Sequence, residues 1–170
     1  MLVIQMHTGT GLFSRLIRWF SRSDYSHVSL WFWNPSNTYG GVVYEAMEGH
    51  GVRALPATAY RAAREAGQIR LYTLREPLTP DEAVQVVLAL EAEIGAGYDW
   101  LGVLRFVSRR RKDGHPKKWF CSELVTYALA KAGRPLFHTK AAWQVMPGDV
   151  PQSLAVIPTD DPERAMEGDA

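Results

Sequence analysis

The sequence has 170 residues, which is the size of one globular domain and too short for two ordinary ones. Hydrophobic residues make up 46% of the chain, charged residues make up 22%, and six tryptophans are present. These proportions exclude a disordered, collagen-like or coiled-coil protein. The formal net charge of +1 provides no overall field for nucleic acid, so we expect no specific nucleic-acid partner. Cys121 is the only cysteine, which excludes an internal disulfide and a multi-cysteine zinc site.

The N-terminal segment does not resemble a secretory signal, because it has no basic residue before its apolar stretch and no small-residue cleavage site. The apolar stretches are all well under the roughly 18 residues needed to cross a bilayer. We therefore expect a cytoplasmic protein with no transmembrane segment, with export by another route left open.

The first predicted elements are a short strand at Val3 and Ile4 and an amphipathic helix that begins at Leu12. In segment 12–22 the apolar side chains fall at helical spacing, and three arginines lie off that stripe. Two interpretations are open for this helix. It is a surface helix packed on the core, or it contacts an anionic surface such as a membrane.

The next elements are predicted to be strands. Residues 25–33 and 41–47 are rich in aromatic and β-branched residues, and turn formers separate them at 34–37, which is typical of a hairpin. A helix is predicted at 58–66, a long strand at 68–74 and a final short strand at 153–157.

A second clear helix begins after Thr79, because Pro80 and Glu82 complete the signals of a capping box. Its predicted apolar stripe includes Val84 and Leu88, and glycines end it near residue 95.

The C-terminal half contains a basic loop, a helix and an acidic tail. Loop 109–118 has six basic residues and one acidic residue, and it could contact an anionic surface. The helix runs from about Cys121 to Ala132. Segment 159–170 carries five acidic residues and one arginine, so we expect a disordered tail after a single domain that spans residues 1–158.

Cys121 has two possible roles. It lies on the apolar stripe of its helix, and a lone cysteine there is commonly a small core residue. It also lies in the first turn, where free backbone N–H groups and the helix dipole stabilise a thiolate. Cysteines at helix N-termini have pKa values lowered from about 8.5 to between about 3.5 and 7.5, which predicts an activated nucleophile. The backbone N–H of Cys121 could also bind an oxyanion.

His27 is the best candidate for the general base among five histidines. It begins a stiff strand, and a base must be held rigidly within hydrogen-bond reach of the sulfur. By contrast, His7, His50, His115 and His138 lie beside glycines, prolines or turns.

Glu45 is the only acid in the partner strand, and a lone buried carboxylate needs a partner. If the hairpin tip lies near Ser36, Glu45 is directly opposite His27. It would then fix the tautomer of the imidazole and stabilise the imidazolium. The alternative is that Glu45 lies at a strand edge and faces water.

Four motifs occur in a telling order: Ser14-Arg15-Leu16-Ile17-Arg18, Tyr25-Ser26-His27-Val28, Tyr44-Glu45-Ala46 and Trp119-Phe120-Cys121-Ser122-Glu123-Leu124-Val125. Together they resemble the circularly permuted papain-like enzymes of the NlpC superfamily, specifically the YiiX-like branch. Ordinary members place cysteine before histidine, whereas the permuted branch places the strand histidine first, as here. The resemblance spans residues 1–158, including the Pro-containing turn at 146–150.

The resemblance implies an α+β permuted papain-like fold, in which the Cys121 helix packs against an antiparallel sheet that carries His27 and Glu45. It assigns Cys121 as nucleophile, His27 as general base and Glu45 as the group that orients the histidine. Tyr98 matches a family position and is either near the nucleophile or a packed core residue. Tyr25 and Ser122 are expected in the vicinity of the substrate and the oxyanion.

The predicted activity is a thiol hydrolase that cleaves an amide bond, for example in a cell-wall peptide, through a thioester and with no metal or cofactor. One soft ligand without a ligand pair at metal spacing argues against zinc. One alternative is a lipid acyl hydrolase or acyltransferase on the same triad, with loop 109–118 accepting a phosphate head group. The other is an inactive binding or assembly module that contacts an anionic surface through that loop or segment 12–22.

Overall fold

A six-stranded antiparallel sheet organises the fold. The structure is a computed structural model that describes residues 1–62, 69–99 and 118–160. The helices are α1 (Leu12–Ser21), α2 (Ala57–Ala62), α3 (Pro80–Glu91) and α4 (Cys121–Lys131), with 3₁₀ helices at Ala142–Gln144 and Pro147–Gln152. The strands are β1 (Leu2–His7), β2 (His27–Trp33), β3 (Gly41–Met47), β4 (Gly51–Pro56), β5 (Ile69–Leu74), β6 (Gly97–Tyr98), β7 (Lys118–Trp119) and β8 (Val156–Thr159).

Strand β1 lies inside the sheet, whose order is β4-β3-β2-β1-β5-β8. All six residues of β1 are buried, which explains why its sequence is apolar except for Gln5 and His7. A separate parallel pair joins β6 to β7 and brings Tyr98 beside Trp119. The predicted α+β class is confirmed by this mixture of helices and a mostly antiparallel sheet.

Side chains alternate between the two faces of the sheet. On one face Val28, Leu30 and Ala46 belong to the main core, to which α4 contributes Leu124 and Leu129. The other face has a smaller apolar cluster, made of Val3, Trp31, Val43, Ala57 and Tyr60. Helix α4 therefore packs on one face of β2 and β3, and α2 covers the other.

Helix α4 begins where the sequence predicts. Phe120 has an extended conformation at the N-cap, and its N–H donates to the Glu123 carboxylate at 3.5 Å. Cys121 is the first residue of the helix, and its stripe continues through Leu124 into the core. The helix ends near Gly133, whose φ of +75° is the left-handed conformation that favours glycine at this position.

Helix α3 has the predicted capping box. Thr79 N–H donates to the Glu82 carboxylate at 2.8 Å, and Glu82 N–H donates to the Thr79 hydroxyl at 3.3 Å. Its buried residues are Val86 and Leu90, whereas Val84 and Leu88 of the predicted stripe are exposed. The stripe prediction was wrong about those two residues, because α3 packs at an angle set by its neighbours.

Several further boundaries differ from the sequence prediction. Strands β4, β6 and β7 were not predicted, β1 extends to His7, and the last strand lies at Val156–Thr159. The short α2 is the described part of the helix predicted at 58–66. Basic residues 109–117 and the tail from 161 onward lie outside the described residues. Among the helices that the structure describes, none is long and apolar enough to cross a membrane.

Candidate active site

His27 and Glu45 meet at the centre of the site. The His27 Nε2 hydrogen donates to Glu45 Oε2 at 2.8 Å. The other carboxylate oxygen, Oε1, accepts two hydrogen bonds from Arg53 at 3.0 Å from Nε and 2.7 Å from the terminal nitrogen. Glu45 is fully buried, so both partners offset the cost of removing its charge from water. The alternative of a water-facing edge carboxylate is therefore wrong.

The pairing of His27 with Glu45 arises from a register that differs from the predicted one. Strand β2 pairs with β3 from Leu30 opposite Tyr44 to Trp33 opposite Gly41, which is a shift of two residues. A shift of two leaves every side chain on its predicted face, whereas a shift of one would reverse it. His27 consequently reaches Glu45 diagonally, at a distance that long side chains can span.

Cys121 is fully buried at the start of α4. The pKa of its thiol is raised from the ordinary 9.0 to about 12, mainly by burial and also by the nearby Glu45 carboxylate, although the backbone N–H groups of Val28 and Ser122 favour the thiolate. The expectation of a lowered pKa was therefore wrong for the protein without substrate. The helix N-terminus acts in the expected direction, but desolvation is the larger effect.

Cys121 contacts the strand of His27 from the core side of the sheet. By strand alternation, His27 and Glu45 project from the face opposite to Val28 and Ala46, which pack with Cys121 in the core. The regular β2–β3 pairing ends at Leu30 and Tyr44, although both strands continue beyond it. In this part of the two strands the Val28 N–H interacts with the sulfur, and the charge of Glu45 acts on the thiol.

A small cleft of about 50 Å³ opens at this end of the sheet. His27, Tyr98 and Met47 line it, together with Phe13 and Ile17 from the inner face of α1. The cleft has about the volume of one or two water molecules, so a larger substrate must lie across its opening and insert only its reacting group.

The three other predicted site residues have different positions. Tyr98 is buried, its ring packs on Phe120 at 5.9 Å, and burial followed by the nearby Cys121 raises the pKa of its phenol. The hydroxyl of Ser122 donates to the Val145 carbonyl at 2.5 Å, so this side chain anchors the helix and its backbone N–H faces the sulfur. Tyr25 lines a different cavity, and its hydroxyl lies 3.4 Å from that of Tyr72.

A polar chain beside His27 was missed by the sequence analysis. His7 is opposite His27 in the β1–β2 register, with ring centroids 5.6 Å apart. His7 Nε2 lies 2.9 Å from the Tyr60 hydroxyl, which lies 2.9 Å from the Ser29 hydroxyl, and Ser29 donates to Gln5 Oε1 at 3.1 Å. The alternation of Gln5 and His7 with apolar residues along β1 was the available signal for this chain.

The larger cavity, of about 550 Å³, lies on the α2 side of the sheet. Its lining includes Tyr25, Trp31, Tyr60 and Tyr72, with Arg61 and Arg70 at its rim. Burial, followed by the neighbouring Tyr25, raises the pKa of Tyr72 to about 12, so its phenol is protonated at neutral pH.

The described ranges contain no group of three or more histidine, cysteine, aspartate or glutamate side chains that could hold a metal ion. The Glu45 carboxylate accepts hydrogen bonds from both His27 and Arg53. This arrangement is suited to holding an imidazole rather than a cation.

Comparison with known protein families accounts for the order of these residues along the chain. The family described as "Permuted papain-like amidase enzyme, YaeF/YiiX, C92 family" matches residues 3–155. The chain belongs to this family. The match includes every residue of the candidate site, from His7 to Cys121, so the predicted permuted papain-like family is confirmed. The predicted class of cysteine peptidase or amidase agrees with the description of the family.

Two individual proteins are similar to this chain. "Probable lipoprotein peptidase YaeF" of Escherichia coli K12 is 31% identical over 171 residues, which cover 82% of this chain. The chain spans 58% of the length of that relative. The crystal structure titled "metalloprotein yiiX" of Escherichia coli O157:H7 superposes with a TM-score of 0.71 at 16% identity and covers 94% of this chain and 95% of that chain. At this identity the second likeness establishes the fold alone.

Proposed function

We propose that the protein is a thiol hydrolase of amide bonds in which Cys121 is the nucleophile, His27 the general base and Glu45 the residue that orients His27. The observation that carries the proposal is the 2.8 Å hydrogen bond from His27 Nε2 to a fully buried Glu45, whose charge acts on the only cysteine, at the start of a helix. A buried histidine–carboxylate pair next to a nucleophilic residue type is the arrangement that thiol acyl transfer requires.

The reaction starts with attack of the Cys121 sulfur on the carbonyl carbon of the amide. Because Nε2 of His27 is bonded to Glu45, the thiol proton passes to Nδ1. The backbone N–H groups of Cys121 and Ser122 bind the oxygen that becomes negative. As the tetrahedral intermediate collapses, the C–N bond breaks, the imidazolium gives its proton to the amine, and a thioester remains on the sulfur. Water then attacks this thioester, with His27 again as base, and releases the acid and the free thiol.

The high thiol pKa determines when the sulfur is activated. With a pKa of about 12, Cys121 is protonated at neutral pH, so a resting thiolate–imidazolium pair is not the dominant form. His27 therefore removes the proton during attack, as in serine hydrolases, rather than before substrate binds.

Arg53 supports this role of Glu45 by holding the carboxylate oxygen that His27 does not use. Two hydrogen bonds from a planar guanidinium fix the carboxylate plane and favour its charged form. Since a charged Glu45 stabilises the imidazolium, Arg53 is a positioning residue for His27 and not a catalytic one.

The preferred substrate is a peptide or a related amide. The description of the family as amidase and the name of the relative as a lipoprotein peptidase both support an amide bond. The acyl group and the acceptor depend on surfaces beside the cleft. The sequence left two alternatives, a lipid acyl hydrolase or acyltransferase and an inactive binding module. Each corresponds to a different outcome of the test.

The test uses a panel of aminoacyl and N-acyl amides of 7-amino-4-methylcoumarin and matched coumarin esters of fatty acids. The variants are Cys121→Ser, His27→Ala and the control His50→Ala, since His50 is an exposed histidine outside the site. We expect amide hydrolysis that falls at least about a thousandfold in the first two variants and is unchanged in the third. Acid quenching should trap a protein adduct with the mass of the acyl group, and this adduct should be absent from Cys121→Ser.

Two results would contradict the proposal. Turnover of esters without amides would favour the lipid acyl hydrolase. Folded protein that forms no adduct with any member of the panel would favour the binding module.

A further inference from the structure

Helix α1 has three distinct stripes along its length. One faces the core and consists of Phe13, Ile17 and Phe20. The second faces outward and is apolar, and it consists of Leu12, Leu16 and Trp19. The third is basic, and it consists of Arg15 and Arg18 within the helix and Arg22 at its C-cap. At about 100° per residue, the basic stripe lies directly beside the outward apolar stripe.

The outward apolar stripe is unusually exposed. Leu12 is 84% exposed, Trp19 is 72% exposed and Leu16 is 41% exposed. These residues follow one another at spacings of four and three, so they form one continuous surface on the helix. Packing on the core explains the inner stripe, but it does not explain a tryptophan and two leucines in water.

Arg15 and Arg22 are exposed to solvent, whereas Arg18 is half-buried. Across residues 1–62, 69–99 and 118–160, none of the three forms an ion pair with a carboxylate. Arg18 Nε is buried and has no hydrogen-bond partner within the same ranges. Segment 12–22 contains no acidic residue. Within segment 12–22, the charge next to the apolar stripe is therefore entirely positive and complements an anionic surface.

Helix α3 provides a contrast within the same protein. Val84 is 54% exposed and Leu88 is 57% exposed, also on one helix face. The first turn of α3, however, carries Asp81 and Glu82, and no basic residue lies in its last turn. Exposed apolar side chains alone thus do not distinguish α1. Helix α1 is distinguished by the combination of an exposed apolar stripe with arginines that form no ion pair among the described residues.

We propose that α1 docks the protein on the surface of a bilayer containing anionic phospholipids. The helix lies in the plane of the interface, with Leu12, Leu16 and Trp19 inserted at the boundary between head groups and acyl chains. The arginines bind lipid phosphates, and the amphipathic indole of Trp19 is suited to this depth. A lipid surface fits better than a protein partner, because the stripe is narrow, convex and bordered by charge of one sign.

Docking in this orientation has a consequence for the cleft. Phe13 and Ile17, on the inner side of the same helix, line the cleft that contains His27. The opening of the cleft would then lie next to the lipid surface, in reach of amides held there. This consequence depends on the proposed hydrolase function, whereas the docking itself does not.

The test is co-sedimentation of the full chain with vesicles of phosphatidylcholine and of phosphatidylcholine with 30 mol% phosphatidylglycerol. The variants are Leu12→Ser/Trp19→Ser and Arg15→Gln/Arg22→Gln, and the matched control is Val84→Ser/Leu88→Ser. None of these side chains lines the cleft, so folding and coumarin-amide hydrolysis should be unchanged in all three. We expect binding to the anionic vesicles that falls with added salt, decreases more than about tenfold in each α1 variant and is unaffected by the α3 variant.

A second measurement locates the helix at the interface. Lipids brominated in their acyl chains should quench tryptophan fluorescence in the parent protein, and this quenching should be lost in Trp19→Phe while vesicle binding persists. The proposal is overturned if the parent does not bind anionic vesicles at low salt. It is also overturned if the folded α1 variants bind as well as the parent, or if the α3 control loses binding equally. Vesicle binding with no hydrolase activity would uphold the docking and reject the proposed function alone.

Discussion

The chemistry of the site depends on the environment of one sulfur atom. Cys121 is at a helix N-terminus, which lowers a thiol pKa, and inside the core, which raises it. The second effect is larger here, and the pKa of about 12 describes a thiol that resembles a serine hydroxyl in its need for a base. Burial also protects the sulfur from small oxidants and electrophiles in the absence of substrate.

This environment predicts slow alkylation of the native protein. Iodoacetamide should modify Cys121 at pH 7 at least about a hundredfold more slowly than it modifies the same cysteine in urea-unfolded protein, because the native thiol is buried and protonated. The measurement is the mass increase with time across pH 6 to 10. Rapid modification of the folded protein at pH 6 would instead indicate a preformed thiolate and contradict the high pKa.

At the scale of elements, the sequence predicted the parts of the site that depend on local pattern. The strand of His27, the strand of Glu45 and the helix of Cys121 each have a clear periodicity, and all three occur in the structure. The hairpin register was wrong by two residues, but the strand period of two kept Glu45 on the side of His27. The local pattern of each strand therefore predicted the face of the sheet on which each side chain lies. The register between the two strands depends on the loop that joins them.

The remaining parts could not be predicted because they depend on pairing between distant segments. Strand β4 carries Arg53 opposite Glu45. Because β4 begins with a glycine and ends with a proline, its alternation of apolar and polar side chains is too short to predict a strand. His7 belongs to the site only because β1 pairs with β2 along its whole length. The exposure of Val84 and Leu88 likewise depends on which face of α3 packs against its neighbours. The spacing of apolar residues within α3 does not determine this face.

The β3–β4 pair makes Arg53 a testable positioning residue. Arg53→Gln should lower the free energy of unfolding by about 2 kcal/mol, less than a fully buried pair would lose because Arg53 is partly exposed. It should also lower kcat more than it changes KM and shift the acidic limb of the pH profile upward, since Glu45 loses the cation that favours its charge. The measurements are urea denaturation and pH–rate profiles on the best coumarin amide.

Two further variants distinguish a role of Arg53 in positioning His27 from an effect on the stability of the protein alone. Arg53→Lys keeps the charge and should restore part of the rate, whereas Arg70→Gln, which removes an exposed arginine on another strand, should change neither quantity. An unchanged pH profile in a folded Arg53→Gln protein would assign Arg53 a structural role only.

For the whole molecule, the cleft lined by His27 and the proposed membrane surface use neighbouring stripes of one helix. Helix α1 closes the cleft with Phe13 and Ile17 and faces outward with Leu12 and Trp19. A cytoplasmic location stays a prediction, and docking through α1 would direct the protein to any accessible anionic leaflet.

The buried thiol should make the free energy of unfolding depend on pH in the alkaline range. In the unfolded chain Cys121 loses its proton above about pH 9, whereas in the folded protein it keeps the proton to about pH 12. Between these values the unfolded state binds fewer protons, so the contribution of this thiol to stability is complete below pH 9 and is lost as the pH rises toward 12. The loss approaches about 1.4 kcal/mol per pH unit.

Comparison with Cys121→Ala isolates this contribution, because buried tyrosines such as Tyr98 remain in both proteins. We expect urea denaturation to show that the parent loses about 1 kcal/mol more than Cys121→Ala between pH 8 and pH 10. Parallel pH dependence in the two proteins would mean that the folded thiol ionises as easily as the unfolded one. The strong desolvation of Cys121 would then be rejected, because its folded pKa would lie near the ordinary 9.0. A parent that gains stability relative to Cys121→Ala as the pH rises from 6 toward 9 would instead indicate a preformed thiolate and contradict the general-base mechanism proposed for His27.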